Sequence, residues 1–166
     1  MSRYVTSPPL QQVVKGITEQ IQHEMESRSY RAANELRNAS QLVLRGQRSG
    51  RRYKVPGTYR RQRDKVSGKM KNGRYYTASA PGEPPAVRTG IFRMSWQPTA
   101  RVVFGSYISR IESDVTTENG HYTLGEILED GTSRMAPRPY QDAILEKAKG
   151  PILKIYNEPY CEGGPK

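Results

Sequence analysis

Apolar residues recur at helical spacing over the first quarter of the chain. Between residues 8 and 46 they stand three or four positions apart, at Leu10, Val13, Val14, Ile17, Ile21, Met25, Ala32, Leu36, Ala39 and Val43. This spacing predicts one long helix with an apolar face. Ser7 suits the N-cap, Pro8 suits the first turn and Gly46 suits the stop. The pattern weakens around residues 26 to 30, so a kink or a break into two helices is an alternative there.

Residues 47 to 88 show no apolar period. Glycine and proline interrupt this stretch repeatedly, and its polar residues are mostly basic. Such a composition predicts a long loop, which is either disordered or functional.

Residues 89 to 157 have the pattern of a mixed body. Thr89 could cap a short helix, and the segment ARVVFGSYISRIESDV predicts one or two strands around Gly105 and Ser106. Asn119-Gly120 is a strong turn signal, and the next apolar segment ends at Gly131.

A second apolar helical face closes the chain. Its members are Tyr140, Ile144, Ala148, Ile152 and Ile155, preceded by Pro139. Gly150-Pro151 should kink this helix or restart it. The whole pattern predicts a single α+β domain: an N-terminal helix (1–46), a basic loop or arm (47–88), an α+β body with a small antiparallel sheet and a C-terminal helix (89–157), and a flexible tail (158–166).

The net charge of +11 comes from one segment of the 166 residues. Residues 45 to 74 contain 12 lysines and arginines against one acid, Asp64, and the rest of the chain has 15 charges of each sign. The excess therefore forms a basic arm on a neutral body. Because such an arm repels itself, we expect it to be largely disordered in the isolated protein.

Several functional classes lack the residues they need. No apolar run approaches the ~20 residues of a membrane helix, and the only cysteine, Cys161, is consistent with a reducing cytoplasm. His23 and His121 have no partner at metal-ligand or triad spacing, and no common catalytic motif is present. The acids Glu126, Glu129 and Asp130 could suggest a metal-dependent nuclease, but solvated acids or partners for Arg134 and Arg138 are the simpler interpretation. We expect neither an enzyme nor a cofactor.

The basic arm has the composition of a nucleic-acid contact. Its candidate DNA- or channel-facing residues, interleaved with tyrosines, are Arg48, Arg51, Arg52, Arg60, Arg61 and Arg63. Arginine binds phosphate in a bidentate manner, and tyrosine can stack on bases. With no recognition helix or RNA-binding motif in the sequence, the contact should be non-specific and directed at the backbone.

Two segments together resemble a known family. They are GRYYTASAPGEPPAVRTGIFRMSW at residues 73–96 and YTLGEILEDGTSRMAPRPYQDAILEKAKGPILKIY at residues 122–156. In order and spacing they are similar to the tail-component, or tail-completion, proteins at the head–tail junction of long-tailed bacteriophages. The motifs that carry the resemblance are Pro81-Gly82, Pro84-Pro85, Arg88-Thr89-Gly90, Ser95, Glu129, Gly131-Thr132 and Arg138-Pro139-Tyr140.

The resemblance implies a non-enzymatic neck subunit of the virion, assembled in the host cytoplasm. Such subunits form a ring, here a hexamer or dodecamer, between the portal and head-completion proteins and the tail tube, with the genome passing through the lumen. Candidate structural or interface residues are Pro84, Pro85, Arg88, Thr89, Gly90, Glu129, Gly131, Thr132, Arg138 and Pro139. The alternative is a stand-alone, non-specific nucleic-acid-binding protein.

Two structural expectations follow. The prolines of APGEPPAV should make residues 80–87 a semi-rigid spacer that sets where the arm leaves the body. Arg138 should pair with Glu129 or Asp130 and fix the corner between the sheet and the last helix.

Overall fold

The computed structural model describes residues 9–55, 62–63, 66–68, 70–71, 73–117 and 120–160. Along the chain come a long helix, short antiparallel strand pairs and a C-terminal helix, which confirms the α+β class. Within these ranges no helix combines the length and the apolarity that crossing a membrane requires.

Helix α1 spans Leu10–Arg45 without interruption, so the alternative of two helices is wrong. Its 36 residues extend about 54 Å at ~1.5 Å per residue. Gly46 is the C-cap, as predicted, whereas Ser7 and Pro8 lie outside the described residues and the helix starts directly after Pro9.

Helix α4, Gln141–Tyr156, packs antiparallel to the second half of α1. Its start lies near Leu44, in a core with Ala39, Tyr140, Ile144 and Ala148, while the residues after its end lie beside Arg28. The helix continues through Pro151, so of the two predicted alternatives the restart is wrong, and the kink stays a prediction.

Three aromatic rings extend the core beside α4. Phe92, Trp96 and Tyr140 meet edge to face, with centroids 5.4 to 5.9 Å apart. This arrangement places the partly positive edge of each ring against the negative face of another. Burial raises the pKa of Tyr140 to about 12, with a smaller contribution from the carboxylate of Glu129.

The predicted strands around Gly105 and Ser106 form one hairpin. Strand β5 (Gln97–Val103) pairs antiparallel with β6 (Ser106–Glu112), from Gln97↔Glu112 to Val103↔Ser106. The loop is two residues long, and both have positive φ, +49° at Phe104 and +76° at Gly105. Such a turn matches the twist of the strands it joins.

The hairpin lies along α1, and its tip is directed toward the start of the helix. Ser109 Oγ donates to the carbonyl of Ser29 at 2.7 Å, and nearer the tip the Tyr107 hydroxyl donates to the carbonyl of Gln22 at 3.5 Å. The first turns of α1 and the hairpin tip therefore occupy the same end of the molecule.

Part of the predicted basic loop is strand. In the described residues, β1 (Arg52–Lys54) pairs antiparallel with β4 (Tyr75–Thr77), and β2 (Gln62–Arg63) with β3 (Met70–Lys71). The predictions of a loop and of a largely disordered arm are wrong at these positions. Tyrosines packed across the pair explain the first ladder, since the rings of Tyr53 and Tyr76 lie 6.0 Å apart.

Two short helices complete the body. Helix α2 is Ile91–Met94, and its N-cap is Gly90 at φ +91° rather than the predicted Thr89, whose hydroxyl accepts from the amide of Ile91 at 3.4 Å. Helix α3 is Leu124–Asp130, capped by the Thr123 hydroxyl, and it ends at Gly131 as predicted.

Candidate interaction surfaces

Three exposed cations of the arm lie on strand β1 or directly before it. We call β1, its partner β4 and Arg51 the basic ribbon. Arg51, Arg52 and Lys54 are all exposed. The Arg52 guanidinium lies 4.7 Å from the centre of the Tyr75 ring, and the Lys54 ammonium lies 5.8 Å from the same ring. These contacts orient the cations on one face of the ribbon while leaving them in solvent, where they can meet phosphates.

Arg48, another candidate for DNA contact, has a structural role instead. Its guanidinium donates to the carbonyls of Val43 at 2.8 Å and of Pro85 at 3.1 Å, which joins the end of α1 to residues 80–87. Burial lowers the pKa of Arg48, and the nearby Glu83 carboxylate opposes that shift. Its hydrogen bonds leave little capacity for phosphate.

Of the remaining arginines predicted to contact DNA, the structure describes the side chains of only some. Arg60 and Arg61 lie outside the described residues, and Arg63 belongs to β2 without a described side chain. Of the six arginines, Arg51 and Arg52 are therefore the two that the structure presents on an exposed surface.

The residues directly before β1, which we call the root of the basic ribbon, are hydrogen-bonded to residues 79–85, which we call the corner. Glu83 accepts three hydrogen bonds, from the Ser49 hydroxyl at 2.6 Å, from the Ala80 amide at 2.9 Å and from the Ser49 amide at 3.1 Å. These bonds, above all that from the Ser49 hydroxyl, lower the pKa of Glu83 to about 2. The amide of Gly50 also donates to the carbonyl of Ala78.

At this root, only glycine fits at position 50 for steric reasons. A Cβ at that position would lie 2.5 Å from the carbonyl oxygen of Ala78, too close for any side chain. Pro85 is buried and Pro84 is half-buried. The segment predicted as a spacer is thus fixed against both α1 and the ribbon, and it determines how the ribbon leaves the body.

The predicted pairing of Arg138 with an acid is wrong. The guanidinium donates to the carbonyl oxygen of Ser79 at 2.5 Å and also to the Ser79 hydroxyl. Glu129 instead accepts from the backbone amide of Tyr140 at 3.0 Å. Arg138 therefore joins the start of α4 to the corner, and Glu129 satisfies an amide at the entry to α4.

The other motif residues of this region build a tight turn. Gly131 has φ +76°, and a Cβ there would lie 2.7 Å from the carbonyl oxygen of Met135. The Thr132 hydroxyl accepts from the amide of Met135 at 3.1 Å. Pro139 is exposed just before α4. These residues shape the connection between α3 and α4.

An open groove of about 630 Å³ lies at the end of the body that contains the corner. Its apolar lining includes Leu44, Ile91, Phe92, Leu124 and Leu128, and its charged lining residues are Arg88, Arg93 and Arg138. The acids of α3 are not among the lining residues. We call this feature the arginine-lined groove.

The opposite end of the molecule exposes apolar side chains. Leu10 is 77% exposed and the Phe104 side chain is fully exposed. The other large apolar residues exposed on the first turns of α1 are Val13, Val14 and Ile17. We call these five residues the apolar end. The sequence predicted the helical face, but not that this part of it would remain exposed in the part of the chain that the structure describes.

A buried arginine marks the boundary between the covered and uncovered parts of α1. Arg28 is 1% exposed, and its guanidinium donates to the carbonyls of Glu158 and Pro159 at 2.6 Å each. It also lies 3.9 Å from the centre of the Tyr160 ring. Neighbouring Arg31 makes a bidentate pair with the Glu158 carboxylate. No signal in the sequence singled out either arginine.

The two histidines, which the sequence analysis set aside as catalytic or metal-binding residues, do not take part in a metal site within the described residues. His23 and His121 are both exposed, and the part of the chain that the structure describes contains no group of three or more side chains arranged to hold a metal ion. The chain matches no family model, no curated protein and no solved structure. The likeness to phage neck proteins therefore rests on the sequence motifs alone.

Proposed function

We propose that the protein is a structural subunit of the head–tail junction of a long-tailed bacteriophage. In this role it forms a hexameric or dodecameric ring that joins the head-completion or portal side to the tail tube and surrounds the genome channel. It uses no cofactor and catalyses no reaction.

The exposure of the apolar end is the observation that carries this proposal. A monomer that lives free in solution seldom groups uncovered aliphatic and aromatic side chains, because each exposed apolar surface favours association. Here Leu10 is 77% exposed and Phe104 fully so, while alanines of the same helix are buried. Such a surface is typical of a protein that functions in an assembly, and the two motif segments suggest which assembly.

The basic ribbon supplies the second part of the proposal. Its exposed cations lie on a two-stranded ladder whose root is fixed by the corner. In a ring, equivalent ribbons would repeat around the channel and present positive charge to the genome. Contacts of this kind neutralise phosphates without reading sequence.

The same ribbon favours the second candidate, a stand-alone non-specific nucleic-acid-binding protein. That protein would bind duplex DNA as a monomer or dimer, with an affinity whose logarithm falls by about 0.9 per contacted phosphate as the logarithm of salt concentration rises. A neck subunit requires its partners and its ring, so a virion phenotype separates the two candidates.

The test is a gene deletion in the phage that encodes the protein, complemented in trans. Without complementation we expect filled or leaking heads and separate tails by electron microscopy. A variant with Arg51, Arg52, Arg60, Arg61 and Arg63 replaced by glutamine should form junctions but retain or deliver the genome poorly.

The matched control removes five cations outside the arm, by replacing Arg101, Arg134, Lys147, Lys149 and Lys154 with glutamine. It has the same loss of charge and should restore infectious particles. Normal infectious particles from the deletion strain would refute the neck assignment. A ribbon variant as infectious as its control would refute the contact with the genome.

A further inference from the structure

The two faces of the basic ribbon carry different side chains. Successive residues of a strand point to opposite faces, so Arg52, Lys54 and Tyr75 share one face, which we call the cation face. The register places Lys54 directly opposite Tyr75, with Arg52 diagonal to it. Tyr53 and Tyr76 are paired across the ladder on the other face. The cations at positions 52 and 54 are therefore presented together.

Arg51 belongs to the face of the two paired tyrosines. Its guanidinium lies 5.9 Å from the centre of the Tyr53 ring, which in turn lies 6.0 Å from the ring of Tyr76. Tyr76 is half-buried and lies beside the arginine-lined groove, so this face is directed toward the body. Of the three exposed cations of the ribbon, Arg52 and Lys54 are the two on the face directed away from the body.

The Tyr75 ring holds both cations of the cation face. The Arg52 guanidinium and the Lys54 ammonium lie 4.7 Å and 5.8 Å from its centre, and the residue is 47% exposed. Positions 52 and 54 are about 6.6 Å apart at ~3.3 Å per residue of strand. Because each strand of a DNA duplex carries one phosphate per ~3.4 Å of its axis, the two cations can bind different phosphates.

No carboxylate competes for these cations within the described part of the ribbon and its root. Residues 48–55 and 73–80 contain neither aspartate nor glutamate. The acid of the corner, Glu83, is hydrogen-bonded to Ser49 and to the Ala80 amide. The cation face therefore favours an anionic partner. Since the ladder already holds the two cations side by side, binding has little left to order.

Two features favour a duplex over a single strand as that partner. Proteins that bind single strands combine a basic groove with aromatic rings on which bases stack. Here the Tyr75 ring holds two cations, and the Tyr53 ring lies between Arg51 and Tyr76, so both exposed rings already have neighbours. A duplex also carries one charge per ~1.7 Å of its axis, against ~3.4 Å for either of its strands.

We propose that the cation face binds the phosphates of duplex DNA, with Arg52 and Lys54 in contact and Tyr75 as the residue that positions them. Arg51, on the other face, makes no phosphate contact. The sequence indicated arginines and base-stacking tyrosines, whereas here a lysine joins the contact and the tyrosine acts on the cations. This inference rests on the proposed function, because the genome in the channel is the duplex that such a face would meet.

The first experiment compares single charges on the two faces. Fluorescence anisotropy measures the affinity of the full chain for a short duplex of mixed sequence, and for one of its strands, between about 50 and 200 mM salt. Arg52→Gln and Lys54→Gln should each weaken duplex binding about tenfold at the lowest salt and reduce the slope of log affinity against log salt by about 0.9. Arg51→Gln removes the same charge from the other face and should leave the slope unchanged.

The second experiment tests the positioning role of Tyr75 without changing the charge. Tyr75→Leu should weaken duplex binding about threefold, because the cations lose the ring that orients them. Tyr75→Phe keeps the ring and should bind like the wild type. When both Arg52 and Lys54 are replaced by glutamine, Tyr75→Leu should have no further effect. An added loss in that background would mean that the ring only stabilises the ladder, which would refute the positioning role.

Three other results would overturn the proposal. Equal losses in Arg51→Gln and Arg52→Gln would mean that the number of charges matters and the face does not. Wild-type affinity in the Arg52→Gln/Lys54→Gln variant would exclude the cation face as a contact. Tighter binding of the single strand would exclude the duplex as the partner.

The phage deletion phenotype decides the neck function independently of these measurements. A cation face that binds duplex DNA, together with an infectious deletion strain, would keep the contact and refute the function. A defective deletion strain whose protein binds duplex DNA equally well with and without Arg52 and Lys54 would keep the function and refute the contact.

Discussion

The two halves of α1 have the same apolar period but differ in burial. In the second half, Ala32, Ala33, Ala39 and Leu44 are buried against α4 and the hairpin. In the first half, large aliphatic residues with the same spacing remain exposed. A helical apolar face therefore shows that a surface is to be covered, without showing whether the cover belongs to the same chain.

Side-chain size differs between the halves in a way that fits this difference. The buried positions of the second half are mostly alanine or serine, whose small size lets another helix approach closely, and Ala39 lies in one core with Ala148 of α4. The first half has leucine, valine and isoleucine instead. Small residues are typical of close contact between two helices, whereas larger aliphatic ones suit insertion between the side chains of a partner surface.

The largest expected effect on the free energy of unfolding compares one change, isoleucine to alanine, in the cover of the second half of α1 and in its first half. Ile144→Ala removes a core side chain packed against the second half and should lower the free energy of unfolding by about 2–5 kcal/mol. Ile17→Ala removes an exposed side chain and should change it by no more than about 0.5 kcal/mol when the chain is monomeric. Urea unfolding at low protein concentration measures both, and equal losses would show that the first half is covered within the monomer.

A smaller effect on the free energy of unfolding is expected for Arg28, at the boundary between the two halves of α1. Arg28→Ala leaves two backbone carbonyls without their charged donor and should cost about 1.5–3 kcal/mol. The matched change is Arg31→Ala, which removes an exposed ion pair with Glu158 and should cost less than Arg28→Ala, because solvent screens exposed pairs. Urea unfolding gives both values, and proteolysis near residue 158 should be faster only in Arg28→Ala. The reverse order of costs would mean that Arg28 is not the residue that holds this segment.

The smallest expected effect is on stability at acidic pH and concerns Glu83, which is hydrogen-bonded to Ser49 just beyond the end of α1. The pKa of Glu83 is lowered to about 2 in the folded chain, against roughly 4.3 for an unperturbed glutamate. A depressed folded pKa gives stabilisation that is present above about pH 4.3 and is lost as the pH falls through about 2. Glu83→Gln should therefore be less stable than the wild type near neutral pH, and the difference should shrink toward pH 2.

The check is the urea midpoint of both proteins across that pH range. Glu19→Gln removes a carboxyl from the exposed first half and serves as the control, since its ion pair with Lys15 spans 3.9 Å at the surface. A difference between Glu83→Gln and the wild type that stays constant down to pH 2 would contradict the role assigned to the three hydrogen bonds of Glu83.

Local pattern was sufficient for the elements that depend on neighbouring residues. The long helix, its stop at Gly46, the strands around Gly105 and the end of α3 at Gly131 were all predicted, because periodicity and turn chemistry act within a few positions. The strands of the basic ribbon were missed, since their ladder joins residues more than twenty positions apart and Tyr53 meets Tyr76 only after the intervening chain has turned back.

The sequence by itself determined the fold class, the two apolar helices and the concentration of positive charge in one segment, because composition and spacing carry those properties directly. Only the tertiary structure decided that Arg48 and Arg138 serve the corner, that Arg28 is buried, and that one half of α1 is covered while the other is not. A side chain's partner depends on which distant residues arrive beside it. Here α4 ends beside Arg28, and the turns of α1 that precede Arg28 extend beyond it.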